Sequence, residues 1–278
     1  MPRLLPVLLL ASMTFSVAPE ERAALAPPRH GGVYVVAHRG AHRGIPENTL
    51  AAYQKAIELG VDFVEIDVRT TKDGRFVSVH NSTIDAYVLD GATGKVADFT
   101  LDELRALDVG SRVGPQWSKE KIPTLEEILD LCKGKVGIYL DLKDAPVDPI
   151  VRMIRERGME RDVLWYAGPE ELRQVRAQCP NCIVMPDPGP EENLPALIEE
   201  FHPQVVATVW RHHTPSLVQR CHAAGAIVIV DEGHVAPPED VRCWEQALEW
   251  GTDGIQTDYP EELIAFLKHR DSDSVPEH

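Results

Sequence analysis

Seven residues of this chain carry groups from which a reaction could be assembled. His38-Arg39-Gly40 follows a short apolar run, Val33–Ala37. Glu65 and Asp67 stand two apart in the next such run, Asp62–Arg69, and His80 ends a third, Arg75–His80. Asp141 and Lys143 repeat the two-residue spacing near the end of Val136–Leu142. Residues i and i+2 of an extended strand share a face, so each pair projects to one side. Glu65, Asp67 and Asp141 offer the hard oxygens that bind Ca²⁺ or Mg²⁺. Imidazole titrates near neutral pH, which suits His38 and His80 to acid and base work. Arg39, through a bidentate fork, and Lys143, as a point charge, suit phosphate oxygens. The chemistry this set fits is cation-assisted phosphodiester cleavage. Taken singly, each residue has a plainer reading: a solvated or salt-bridged acid, a structural histidine, a counterion. Convergence is what favours the chemical reading, and convergence depends on the elements that carry the residues.

Those elements alternate. Besides the four runs above, Val163–Tyr166, Ile183–Met185, Val205–Trp210, Ala226–Val230 and Gly254–Thr257 read as strands, which makes nine in all. Helical stretches lie between most of them, started by residues such as Asn48 or Thr49, Thr100 and Thr124, and stopped by Gly60, Gly134, Gly158, Gly225 and Gly251. This pattern implies βαβ units and a parallel sheet. One link breaks it. Thr71-Lys72-Asp73-Gly74 is far too short for a parallel crossover, and Asp-Gly is a hairpin signal. Arg75–His80 should therefore return antiparallel, and a turn centred on Asp73-Gly74 sets His80 opposite Asp67. Removing this return strand leaves eight parallel strands, the number that closes a (β/α)8 TIM-type barrel, in which functional groups gather at the C-terminal strand ends. A doubly wound open sheet is the structural alternative.

The motifs in order resemble the glycerophosphodiester phosphodiesterase family. They are VAHRGAHRGIPENT, VDFVEIDVRTTKDGRFVSVHN, GKVADFTLDELRALDVGS, IPTLEEILDL, IYLDLK and, near the end, GTDGIQTDYP. The strong part covers about residues 33–145. The resemblance implies a TIM-type barrel and metal-dependent hydrolysis of glycerophosphodiesters to glycerol 3-phosphate and an alcohol. It casts His38 and His80 as the acid/base pair, and Arg39 and Lys143 as phosphate contacts. Glu65, Asp67 and Asp141 become ligands of one divalent cation, Ca²⁺ or Mg²⁺. It also implies that residues 81–121 are a small insertion covering the site, and that a neighbouring glycerol hydroxyl attacks phosphorus to give a cyclic phosphate.

Three departures stand out. Asn81 replaces an expected Asp after the histidine. Asp141 replaces Glu. Ile227–Glu232 replaces a W-T-V-N-like strand and places two acids, Asp231 and Glu232, where an aromatic wall is expected. They leave two other readings: a phospholipase-type enzyme on lysophospholipid or sphingolipid headgroups yielding a cyclic phosphate, or a non-catalytic phosphodiester-binding protein.

Composition sets outer bounds. The chain has 278 residues, 44% hydrophobic and 26% charged, with a formal net charge of −16. Such a surface disfavours nucleic acid, so the expected partner is a small-molecule glycerophosphodiester. Length alone would suggest two domains, whereas the barrel reading gives one, over residues 33–270. Residues 1–18 have one cation, an apolar run and a Ser16-Val17-Ala18 end, the layout of a signal peptide. A secreted or periplasmic protein with no stable membrane span after cleavage is expected, an uncleaved anchor being the competing reading. No cysteine follows the run to carry a lipid. Residues 19–32 read as a linker and 271–278 as a disordered tail. Of five cysteines, Cys179 and Cys182 form a C-x-x-C open to a local disulfide, two buried thiols, a redox pair or half a zinc site, the first two favoured. Arg211-His212-His213, Trp117 and His234 are weaker candidates for contact with substrate.

Overall fold

The computed structural model describes residues 25–89, 91–232 and 241–273. The leader reading for 1–18, the start of the linker, His234 and the end of the tail lie outside them. In chain order the elements are β1 (Tyr34–Ala37), α1 (Leu50–Leu59), β2 (Phe63–Thr70), β3 (Phe76–Ser78), α2 (Leu101–Ala106), α3 (Leu125–Cys132), β4 (Gly137–Leu142), α4 (Val147–Glu156), β5 (Val163–Tyr166), α5 (Pro169–Gln178), β6 (Ile183–Val184), α6 (Leu194–Phe201), β7 (Val205–Val209), α7 (Pro215–Ala223), β8 (Ile227–Asp231), α8 (Arg242–Glu249), β9 (Gly254–Thr257) and α9 (Pro260–Asp273).

Eight parallel strands run in the order β6-β5-β4-β2-β1-β9-β8-β7, with β3 antiparallel on β2. The gap between β6 and β7 is bridged by a backbone bond from Ala207 N–H to the Pro186 carbonyl, 3.0 Å. The barrel expected from the sequence is thus nearly closed, with helices between its strands.

Local chemistry explains the elements. Thr49, not Asn48, caps α1, its hydroxyl accepting from Ala52 N–H, and Gly60 ends the helix at φ 79°. Thr100/Glu103 and Thr124/Glu127 form reciprocal capping boxes on α2 and α3. Gly137 is dictated by packing, because a Cβ there would sit 2.4 Å from the Phe63 ring. Helix α9 is the longest described helix, running from Pro260 to Asp273.

Alternation along the strands separates two cores. Val35, Val64, Ile66, Ile138, Leu140, Trp165 and Val230 face outward into the layer between sheet and helices. Val36, Phe63, Tyr139, Leu164, Ile183, Ala207 and Ile229 face inward and plug the lumen. Two residues further along several strands, the inward position turns polar: His38, Glu65, Asp141, Tyr166 and Asp231. The period-2 rule that builds the plug therefore also builds the mouth. Residues 25–32 lie across the opposite end, where Arg29 reaches Asp62 and the carbonyls of Val61 and Lys135.

The insertion after β3 has its own small core of Ile84, Tyr87, Val96, Leu104, Val109 and Ile122, continuous with Val77 and Val79 of the hairpin. The hairpin register corrects the sequence expectation. Val68, Arg69 and Thr70 pair with Ser78, Val77 and Phe76, so Asp67 lies opposite Val79, whose N–H donates to the Asp67 carbonyl at 3.0 Å. His80 is one residue beyond. The cause is the turn, which is longer by one residue than the expected two-residue loop. Thr71 pairs with Arg75, and the Thr71 hydroxyl donates to Asp73 and accepts from Arg75 N–H. Cys179 and Cys182 are joined as a disulfide, while Cys132 and Cys221 are buried free thiols. Among the described residues no helix is long and apolar enough to cross a membrane.

Candidate active site

The C-terminal mouth of the barrel is a cavity of about 290 Å³. All seven sequence-predicted residues line it: His38, Arg39, Glu65, Asp67, His80, Asp141 and Lys143. Register explains the assembly. Asp67 and Asp141 are paired positions of β2 and β4, and one oxygen from each of Glu65, Asp67 and Asp141 lies within 4.8 Å of the others.

Each acid is held by neighbours. Arg39 N–H donates to Glu65 Oε2 at 2.8 Å, an orientation reached with Arg39 at φ 53°, in the left-handed region that non-glycine residues seldom adopt. Gly40 follows at φ 80°, and a Cβ there would lie 2.8 Å from the Ala52 backbone, so the loop packs flat on α1. Asn48 Nδ2 donates to Asp67 Oδ2 at 2.8 Å, and its Oδ1 accepts from Tyr53 and Ser78. Lys143 Nζ is 2.5 Å from Asp141 and 3.1 Å from Asp67.

The electrostatics follow from this crowding. Burial, then the charges of Asp67 and Asp141, hold the Glu65 carboxyl well above its usual range. Burial raises Asp141 as well, against the pull of Lys143. Burial works against the Lys143 ammonium, but Asp67 and Asp141 outweigh it and raise its pKa. Arg39 is likewise raised, Glu47, Asp67 and Glu65 outweighing burial. Buried Asp67 Oδ1 has no well-formed hydrogen bond. A set of mutually repelling carboxylates whose oxygens converge within 4.8 Å fits a divalent cation, whose charge would remove the repulsion.

The histidines differ in their partners. His38 Nδ1 bonds Asp258 Oδ1 at 2.7 Å, just past β9, and His42 packs beside them, its Nδ1 bonding the His38 carbonyl at 2.9 Å. His80 Nδ1 bonds Asn81 Oδ1 at 3.0 Å. An amide oxygen can only accept, so Nδ1 carries the proton and Nε2 is the atom left for chemistry. Asn81 thus keeps the orienting role of the expected Asp without its charge. Arg69 fixes the His80 carbonyl from below, at 2.6 Å. It is this clamp and the end of β3 at Ser78, not the expected pairing with Asp67, that bring His80 to the mouth.

Sequence reasoning missed Asp258 and Asn48. Asp258 was visible only inside the T-D-Y-P motif, and Asn48 was read as a possible cap. The weaker candidates go elsewhere. His213 is buried between Trp210 and Trp250, bonds Thr252 Oγ1 at 2.7 Å, and is pushed by burial down to about 4. Trp117 donates to the Gly44 carbonyl at 2.8 Å and ties the insertion to the loop before α1. Glu47 links Arg39 to Arg112 of the insertion. Asp231 lines the mouth, but Glu232 turns outward, buried against Trp244, Thr257 and Cys243. One acid, not two, therefore faces the cleft from this strand, because adjacent strand residues point to opposite faces.

Fold and site together define a class: a parallel barrel with three converging carboxylates that could hold a cation, two imidazoles and two basic side chains at its C-terminal mouth. Residues 38–166 match the profile of the glycerophosphoryl diester phosphodiesterase family. A glycerophosphodiester phosphodiesterase of Caldanaerobacter subterraneus subsp. tengcongensis is 32% identical over 84% of this chain and 97% of its own. Solved relatives include a glycerophosphodiester phosphodiesterase from Agrobacterium tumefaciens (26% identity, TM-score 0.72, covering 84% of this chain and 99% of that one). Another is an Oleispira antarctica phosphodiesterase in complex with the product sn-glycerol-3-phosphate (25% identity, TM-score 0.75, 85% and 96%). The chain belongs to the glycerophosphoryl diester phosphodiesterase family, and is by that membership an enzyme of phosphodiester hydrolysis.

Proposed function

We propose that this protein is a divalent-cation-dependent phosphodiesterase that hydrolyses glycerophosphodiesters to glycerol 3-phosphate and an alcohol by paired histidine catalysis. The observation that carries the reading is the convergence of Glu65, Asp67 and Asp141 beside His38 and His80 in one cleft. Glu65, Asp67 and Asp141 would hold the cation, which supplies Lewis acidity toward the phosphodiester. Arg39 faces the cleft with its guanidinium and stabilises charge developing on the phosphoryl oxygens. Lys143 adds a second positive charge and keeps two of the acids aligned.

The partners of the histidines divide the proton work. Asp258 stabilises the imidazolium formed when His38 takes the proton of the attacking glycerol hydroxyl. Asn81 orients His80 through Nδ1 without a charge that would hold a proton back, so His80, carrying a second proton on Nε2, gives that proton to the leaving alcohol oxygen. One O–P bond forms and the O–P bond to the alcohol breaks, leaving a cyclic phosphate. Water then adds to phosphorus as the ring oxygen leaves, with the proton roles reversed. The leader at 1–18 and the Cys179–Cys182 disulfide support a secreted or periplasmic location, where disulfides persist.

The test is turnover of glycerophosphocholine followed by phosphorus-31 NMR. EDTA should abolish it, and Ca²⁺ or Mg²⁺ should restore it. His38→Ala and His80→Ala should each lose about 10²–10⁴-fold in kcat. Full activity in chelator would remove the cation from the reading, and near-wild-type turnover in either variant would remove that histidine.

A further inference from the structure

The mouth has two chemically distinct sides. Strands β1, β2 and β4 carry the cation-binding acids, Arg39 and Lys143. The side formed by β5 to β9 carries Tyr166, Asp187, Thr208, Asp231 and Gln256, with Tyr139 on the floor. Among the described residues lining this side, the groups offered are acceptors, apart from hydroxyl groups and the Gln256 amide. Asp187 accepts from Tyr166 OH at 3.2 Å and from Gly189 N–H at 2.7 Å, which fixes its position. Asp231 lies close enough to Tyr139 and Tyr166 that its charge, after burial, helps hold both phenols above their usual range. Gln256 pairs with Asp231 across β8 and β9, is only 5% exposed, and its Oε1 has no hydrogen-bond partner. A buried acceptor left without a donor is costly; among the described residues none donates to this one, and a donor entering the cleft would satisfy it.

A second anionic group would meet two further carboxylates here. A cationic group would be attracted by both and could donate to Gln256 Oε1. In the proposed orientation the phosphate lies at Arg39 and Lys143 and the alcohol part of the diester on this side. We infer that Asp187, Asp231 and Gln256 form a subsite for a primary ammonium on the leaving alcohol, an inference that rests on the phosphodiesterase reading above. A quaternary ammonium satisfies the charge but has no N–H for Gln256, and a neutral polyol has donors but no charge. The expected order of preference is therefore an ethanolamine diester, then a choline diester, then a glycerol diester.

The test uses the full chain with its cation and compares kcat/KM for glycerophosphoethanolamine, glycerophosphocholine and glycerophosphoglycerol. The wild type should favour the ethanolamine over the glycerol diester by about tenfold, the scale of one charge-assisted hydrogen bond. The Asp187→Asn/Asp231→Asn double variant should lower that ratio by about tenfold, mainly through KM, and Gln256→Leu should narrow the ethanolamine-to-choline ratio. Ethanolamine, and not ethylene glycol, should inhibit the wild type competitively, a readout that needs no variant to fold. Equal losses on all three diesters, no preference in the wild type, or no inhibition by ethanolamine would each overturn the subsite while leaving the phosphodiesterase reading intact. Failure of the wild type to hydrolyse any of the three would instead bring down that reading, and the subsite with it.

Discussion

Two buried carboxylate environments lie on opposite faces of the same barrel wall. At the mouth, Glu65 is buried with the charges of Asp67 and Asp141 around it. Behind β8, Glu232 is equally buried, with its carboxyl pushed up to about 7, first by desolvation. Yet Trp244 Nε1 and Thr257 Oγ1 both donate to Glu232. Burial by itself therefore does not mark a functional acid. What separates the two is that one set is three carboxylates that repel one another within 4.8 Å at a cleft, while the other acid stands alone, satisfied by donors from α8 and β9. The first can be relieved by a cation, whereas the second already has its partners.

Substitution should break this contrast in opposite ways. Asp67→Asn should lower turnover by about 10³-fold or more and remove stabilisation by added Ca²⁺ or Mg²⁺ in thermal melts, as expected for a lost cation ligand. Retained cation-dependent stabilisation would contradict the ligand assignment. Glu232→Ala should act on stability, costing about 2–4 kcal/mol in denaturant unfolding because two buried donors lose their acceptor. A loss below about 0.5 kcal/mol would show that water replaces the carboxylate.

The smallest expected effects are in pH dependence. The folded-state pKa of Glu232 lies near 7 against an ordinary 4.5. The folded state therefore binds the proton more tightly, and stability falls as pH rises from about 4.5 to 7. His213 has the opposite sign. Its pKa is near 4 against 6.5, so its contribution is present above about 6.5 and is lost as pH falls toward 4. Each is on the order of 3 kcal/mol. Glu232→Gln should flatten the first slope and His213→Phe the second, read from urea midpoints across pH 4–8. An unchanged slope in either variant would assign that titration to another group.

The strands were legible because period-2 alternation and short apolar runs coincide in them, and the chemistry was legible because Glu65 and Asp67 share a face by that same rule. The hairpin register was not legible. Asp73-Gly74 signals a turn, but the Thr71 hydroxyl bonds to Asp73 and Arg75, and these decide how many residues the loop contains. Asp258 was hidden for a different reason. Its role depends on β1 and β9 being neighbours, a closure between the two ends of the chain that no local pattern records. Glu232 was misplaced because two adjacent strand residues were assigned to one face, against the period-2 rule that sends them to opposite faces; Trp244 on the following helix then receives it.

The seam between β6 and β7 carries a mechanical consequence. Strands β7 and β8 share five paired positions, whereas β6 and β7 meet through the Ala207–Pro186 bond. Opening the wall there requires the fewest bonds to part, so the barrel has a preferred line of breathing, and the Ala207 amide should exchange with deuterium ahead of the amides of β2 and β4. Asp187 sits at the upper end of that line. The side of the mouth that receives the leaving alcohol is therefore also the most compliant part of the wall, so the cleft can widen for a bulkier leaving group without disturbing the rigid strands that hold the carboxylates.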